Sequence, residues 1–100
     1  MTTERLVITQ EPTKFTIRGR VDSTNAVELG QTLDQAIKNG HVQIILDMLH
    51  VEYLCSHGIR VLLKAYKDLQ AIGGNLGIQN PSECVENVLG LVALNEMLIK

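Results

Sequence analysis

Cys55-Ser56-His57-Gly58 is the stretch of this sequence where chemistry-bearing side chains crowd most closely. It follows an apolar run and opens an amphipathic one, so Ser56 suits the N-cap of a helix, its hydroxyl accepting from an otherwise unpaired amide. The same position suits a phosphate, because a phosphoserine there sets about two negative charges against amide N–H groups and the positive end of the helix dipole. Such a group leaves the fold intact and changes the surface: a dianion repels acidic partner groups and is costly to desolvate against an apolar interface. Ser56 is then either a cap alone or a cap that doubles as a binding switch. A third reading makes Cys55 a nucleophile activated at the helix start, with His57 as its base. Against it, adjacent residues point in different directions and no third group orients the histidine. Position 54 is Leu, so there is no G-x-S-x-G elbow. His50, Cys55 and His57 match no standard zinc spacing.

Arg60, Lys64 and Lys67 recur along one face of the residues after Ser56, opposite an apolar stripe. A face of that kind is either solvated or receives an acidic partner surface. Asp22 and Ser23 precede another helical pattern. There they cap or turn the chain, or share one end of a sheet with Ser56, since both positions precede helices that follow strands. Cys84 falls among Val85, Val88 and Leu89, where a small buried hydrophobe is expected. Gly73-Gly74 and Gly77 follow a helix and precede a strand, the reverse of a dinucleotide fingerprint. No cofactor is expected.

The elements that must position these residues can be read from periodicity. Residues 6–10 and 15–18 are rich in β-branched or aromatic side chains and predict a hairpin joined through Glu11-Pro12-Thr13. Residues 19–24 read as a polar connection. Asn25 with Glu28 three residues on resembles a capping box, and Ala26, Leu29, Leu33, Ala36 and Ile37 mark one face of a helix ended by Asn39-Gly40. Residues 42–48 lack alternation, the pattern of a central strand covered on both faces, and 49–55 read as its link to the next helix. Ile59, Leu62, Leu63, Tyr66, Leu69 and Ile72 mark that helix, which Gly73-Gly74 stops. Residues 75–79 predict a strand. A third helix follows with Pro81 in its first turn and Gly90 closing it, and 97–99 suit a short final strand. The fold class is α/β: a mixed sheet of four to five strands with helices, in the order β-β-α-β-α-β-α.

One hundred residues suit a single domain, 1–100. An apolar fraction of 45% with 20% charged residues excludes intrinsic disorder. Phe15, Tyr53 and Tyr66 are the only aromatics, so Leu, Ile and Val must fill the core, and stacking platforms for single-stranded nucleic acid are not expected. A net charge of −2 likewise argues against a non-specific polyanion binder. Cys55 and Cys84 lack CxxC spacing and no apolar signal segment opens the chain, which points to a reduced, cytoplasmic protein. No apolar run reaches the ~20 residues of a membrane span.

The order of these elements, with Gly19-Arg20-Val21-Asp22, Ile45-Leu46-Asp47, Cys55-Ser56-His57-Gly58-Ile59, Gly73-Gly74 and Gly90-Leu91, resembles the STAS domains of bacterial anti-sigma factor antagonists. In that family the helix after the central strand opens with Asp, a phosphorylated Ser, Ser or Thr, Gly and an aliphatic residue. Ser56 matches the phospho-acceptor, and Gly58 and Ile59 match the end of the motif. Cys55 stands in place of the Asp and His57 in place of the second Ser or Thr. Asp22 matches the acidic residue of the loop before the first helix, while Arg20 stands where another acidic residue is common. The resemblance implies a partner switch without catalysis. The unphosphorylated domain binds an anti-sigma factor that is also a serine kinase, phosphorylation at Ser56 breaks the complex, and a phosphatase restores it. Asp22, Ser23, Cys55, His57, Gly58, Arg60 and Lys64 are the expected partner contacts. Small STAS proteins also dock on the ATPase of ABC machinery, including phospholipid transport, which is the alternative. Many relatives continue past the position of Ile99-Lys100 into another helix; an uncovered sheet face or edge, with self-association covering it, is expected.

Overall fold

The computed structural model describes residues 6–10 and 14–91. They form β1 (Val7–Gln10), β2 (Lys14–Val21), α1 (Ala26–Lys38), β3 (Gln43–Leu54), α2 (Ser56–Ala71), β4 (Asn75–Gln79) and α3 (Glu83–Leu91). The strands make one sheet in the order β1-β2-β3-β4. β1 and β2 pair antiparallel, as the predicted hairpin requires, whereas β2–β3 and β3–β4 are parallel. The sheet is therefore mixed, with β3 inside it. The hairpin turn and the strand expected over 97–99 lie outside the described residues.

β2 alternates strictly, with Phe15, Ile17, Gly19 and Val21 buried. Phe15 pairs with Leu46 and Leu46 with Ile78, so this face continues across three strands. Leu29, Leu33 and Ala36 of α1, Leu62, Ala65 and Leu69 of α2, and Val85 and Leu89 of α3 join the same buried cluster. α1 and α2 lie close enough that a Cβ on Gly30 would meet Val61 at 3.5 Å. Burying a Leu- or Phe-sized side chain contributes ~1.5–3 kcal/mol, so this one continuous aliphatic core holds the layers together.

The opposite face corrects one expectation. It carries Lys14, Thr16, Arg18, Ile45, Asp47 and Gln79, none of them fully buried and most of them polar. β3 is thus an inner strand lined by the core on one face only. Over 42–48 the alternation is masked in the sequence by Ile45, an aliphatic residue on the open face, while burial itself alternates from Gln43. Beyond Met48 the register shifts. Thr16 pairs with Asp47 but Arg18 with His50, and Gly19 pairs with Val51 but Arg20 with Tyr53. Each step inserts an extra residue into β3, a bulge that re-aims the side chains around it. From Met48 the burial repeats every third residue, through Val51 to Leu54, with two exposed residues between each. A period-two reading fails there, which is why 49–54 resembled a link and is strand.

β2 likewise runs on to Val21, through residues expected in the polar connection. β4 spans Asn75–Gln79 as expected. Glycine is required at Gly74, just before it, because an added Cβ there would collide with the Val42 carbonyl. α3 begins after Pro81, with Ser82 Oγ accepting from the Val85 amide at 3.2 Å. It does not close at Gly90, which is helical and exposed, with Leu91 following in the helix.

Candidate functional site

The ends of β2 and β3 are tied together. The Cys55 amide donates to the Val21 carbonyl at 2.9 Å, so the loop carrying Asp22 and Ser23 and the start of α2 share one end of the sheet. Asp22 Oδ1 accepts from the amides of Thr24 and Asn25 at 2.9 and 3.0 Å. Asn25 completes a closed unit: its Oδ1 accepts from the Asp22 amide and its Nδ2 donates to the Arg20 carbonyl, each at 2.8 Å. The expected capping box does not form, since the Asn25 side chain is committed to this loop and makes no cap bond to α1. Asp22 takes the turn-forming role, and Ser23 is exposed beside it.

Ser56 is not the N-cap. Because β3 continues to Leu54, a single residue separates strand from helix, and Cys55 occupies it with an extended backbone, φ −80° and ψ 170°. The Cys55 thiol accepts from the Gly58 amide at 3.4 Å, a weak sulfur counterpart of the usual oxygen cap. Ser56 becomes the first helical residue. It is exposed, and its hydroxyl makes no hydrogen bond among the described residues. The first turn of α2 holds no acidic residue, so the positive end of the helix dipole there is not offset by a side-chain carboxylate of that turn.

Gly58 explains how the helix start comes this close to the strands. A Cβ there would lie 2.8 Å from both Leu54 Cδ1 and Val21 Cγ1. His57 is half-buried beside it, and Arg60 is exposed one turn beyond Ser56. Lys64 stands apart. Its ammonium lies 2.8 Å from Asp68 and 3.9 Å from Asp34 of α1. The hydrogen bond and charge of Asp68, with Asp34 adding to them, hold its pKa above the ordinary lysine value. Its charge is already matched within the chain, whereas Arg60 makes no ion pair among the described residues. Cys84 is half-buried rather than buried, because it lies in the first turn of α3 at the rim of a groove that also includes Leu49 and His50. Among the described residues no group of three or more His, Cys, Asp or Glu is placed to hold a metal ion.

One feature of this end escaped the sequence. The Arg20 guanidinium sits over the Tyr53 ring, 4.5 Å from its centre, on the face of the sheet away from the core. The outward alternation of β2 carries a signal for Arg20. Tyr53 had none, because the bulges of β3 hid its strand.

A family model described as STAS domain matches residues 5–100. A stretch of 60 residues is 33% identical to BtrV of Bordetella bronchiseptica, named as an anti-sigma factor antagonist; it covers 60% of this chain and 52% of that relative. The matched stretch thus spans about half the length of that protein. Among solved structures, the anti-sigma factor antagonist SpoIIAA in its unphosphorylated form superposes with a TM-score of 0.79 at 21% identity, over 95% of this chain and 86% of that one. The phosphorylated form of SpoIIAA, a Bacillus cell fate determinant, gives 0.74 at 20% identity, over 95% and 89%. An anti-sigma factor antagonist from Mycobacterium paratuberculosis gives 0.76 at 18% identity, over 94% and 81%. At these identities the likeness is one of fold. No helix among the described residues is long and apolar enough to cross a membrane.

Proposed function

The chain belongs to the STAS domain family, and we propose that it is an anti-sigma factor antagonist working as a cytoplasmic partner switch, without catalysis of its own. The unphosphorylated chain binds an anti-sigma factor that is also a serine kinase; phosphorylation of Ser56 dissociates the pair, and a phosphatase reverses it. The observation that carries this reading is the exposed Ser56 hydroxyl at the first position of α2, with no hydrogen bond among the described residues. Around it stand Asp22, Ser23, Cys55, His57, Gly58 and Arg60, with Lys64 a further turn along α2. That SpoIIAA is known in phosphorylated and unphosphorylated forms of one fold supports a switch that alters surface rather than structure.

A docking subunit of an ABC transport complex is the second reading, favoured by Cys55 and His57 standing where the family motif has Asp and Ser or Thr. Paired affinity capture from the host lysate separates the two, with wild type and Ser56→Asp as baits. Asp is tolerated at a helix start, so both baits keep the fold. Retention of a serine-kinase-type anti-sigma factor by wild type alone supports the switch. Equal retention of a transporter ATPase by both baits sinks it.

A further inference from the structure

β2 alternates without a break, so Lys14, Thr16, Arg18 and Arg20 line its outward face. Lys14 is drawn to Asp47 at 3.7 Å. Arg18 and Arg20 have no carboxylate within ion-pair distance among the described residues. In the register Arg18 lies beside His50 and Arg20 beside Tyr53. The Arg20 guanidinium is within cation–π range of the Tyr53 ring, yet Tyr53 still exposes 40% of its surface. The bulges of β3 turn Tyr53 outward, and Asn25 Nδ2 fixes the Arg20 backbone by its carbonyl. Tyrosine and arginine dominate the energetic centres of protein interfaces, where they combine large contact area with directed polar groups. Holding them in place beforehand lowers the cost of ordering them on binding.

We propose that the Arg20–Tyr53 stack, flanked by Arg18 and His50, extends the docking surface from the Ser56 end onto the open face of the sheet, and that an acidic protein segment of the partner seats there. This rests on the docking function proposed above. Charge complementarity selects the occupant: among the described residues neither Arg18 nor Arg20 has a carboxylate within ion-pair distance, and Glu52 and Glu83, which share a groove with Arg18, do not come close enough to pair with it. A single aromatic ring is too few for nucleic acid, which stacks successive bases on successive rings.

The test uses two probes. The anti-sigma factor retained by the wild-type bait is purified and titrated against wild type, Arg20→Glu and Arg20→Lys. In parallel, backbone amide resonances of the chain are followed with two short synthetic peptides that share their leucines, one Glu-rich and one Lys-rich. Arg20→Glu is expected to weaken anti-sigma factor binding ~10-fold or more, with Arg20→Lys between it and wild type, since a lysine keeps the charge without the planar stack. The Glu-rich peptide is expected to shift the amides of Arg20, Tyr53 and their neighbours, and the Lys-rich peptide to leave them unmoved. Wild-type affinity in Arg20→Glu, with binding still lost in Ser56→Asp, overturns this inference and leaves the switch standing. If no anti-sigma factor binds wild type while the Glu-rich peptide still shifts those amides, the acidic-segment site stands and the switch falls. Shifts confined to other residues, or produced equally by the Lys-rich peptide, overturn it outright.

Discussion

Gly58→Ala tests how the candidate site is held. The added methyl lies 2.8 Å from Leu54 Cδ1 and from Val21 Cγ1, roughly 1 Å inside the separation at which carbon atoms attract. Gly58 is helical, so alanine also gains about 1 kcal/mol of helix propensity. Leu54 can swing its terminal methyl, but Val21 is β-branched, fully buried and fixed in β2. Overpacking of this kind costs about 1–3 kcal/mol, so the net loss is centred near 1 kcal/mol once the helix gain is subtracted. In a chain of 100 residues that lowers Tm by ~4–8 °C. Urea denaturation of wild type, Gly58→Ala, Val21→Ala and the double variant isolates the contact. With the valine methyls gone, the double variant is expected to lose about 1–2 kcal/mol less than the two single losses summed. A Gly58→Ala protein more stable than wild type, with additive behaviour in the double variant, refutes the close approach. The site would then need another account of how α2 meets the strand ends.

Three further outcomes follow from the same geometry. Cys55→Asp is expected to raise stability by about 0.5–1 kcal/mol in thermal denaturation, because a carboxylate oxygen replaces a sulfur cap at a helix whose first turn holds no acid. Asn25→Ala removes the bonds from its side chain to the part-buried Asp22 amide and Arg20 carbonyl, a loss of about 1–3 kcal/mol, and hydrogen exchange at the Asp22 amide should quicken in step. Folding raises the Lys64 pKa, chiefly through its hydrogen bond to Asp68. The stabilisation from this ion pair is therefore complete below the unfolded-state value and is lost as pH climbs through the higher folded-state value. Denaturation of wild type and Lys64→Met above about pH 10 should show the alkaline decline shrinking in the variant.

Elements bounded by backbone chemistry were legible in the sequence. Asn39-Gly40 ends α1, where Gly40 takes φ +94°, and Gly73 takes φ +81° just beyond α2. These are left-handed positions that glycine adopts without strain. The face of α2 was legible because its apolar spacing repeats over four turns. β3 was half legible: 43–48 alternates in burial, but its two bulges convert the rest to a three-residue repeat that no strand template contains. That misreading displaced the cap by one residue and hid Tyr53 inside a supposed link. Asn25 shows a different limit. Its type and spacing suited a capping box, yet two bonds to the β2–α1 loop outcompeted the cap, and a competition of that kind is decided in three dimensions.

The arrangement explains how a phosphate at Ser56 would act without disturbing the fold. The Ser56 hydroxyl holds no hydrogen bond among the described residues, so its modification breaks none of those described. Asp22, the nearest acidic residue in the adjoining loop, has one oxygen turned to two loop amides. Arg60 lies at i+4 from Ser56, the spacing at which helical side chains meet. A phosphoserine of roughly −1.5 to −2 charge would therefore pair with Arg60 along the helix. Arg20 belongs to the same end of the sheet, one residue before the Val21 carbonyl that accepts from Cys55. On the proposed reading, these two guanidiniums attract an acidic partner surface. One dianion among them cancels about as much charge as they supply, so the attraction vanishes while the core beneath, closed by Gly58 against Val21 and Leu54, is left as it was.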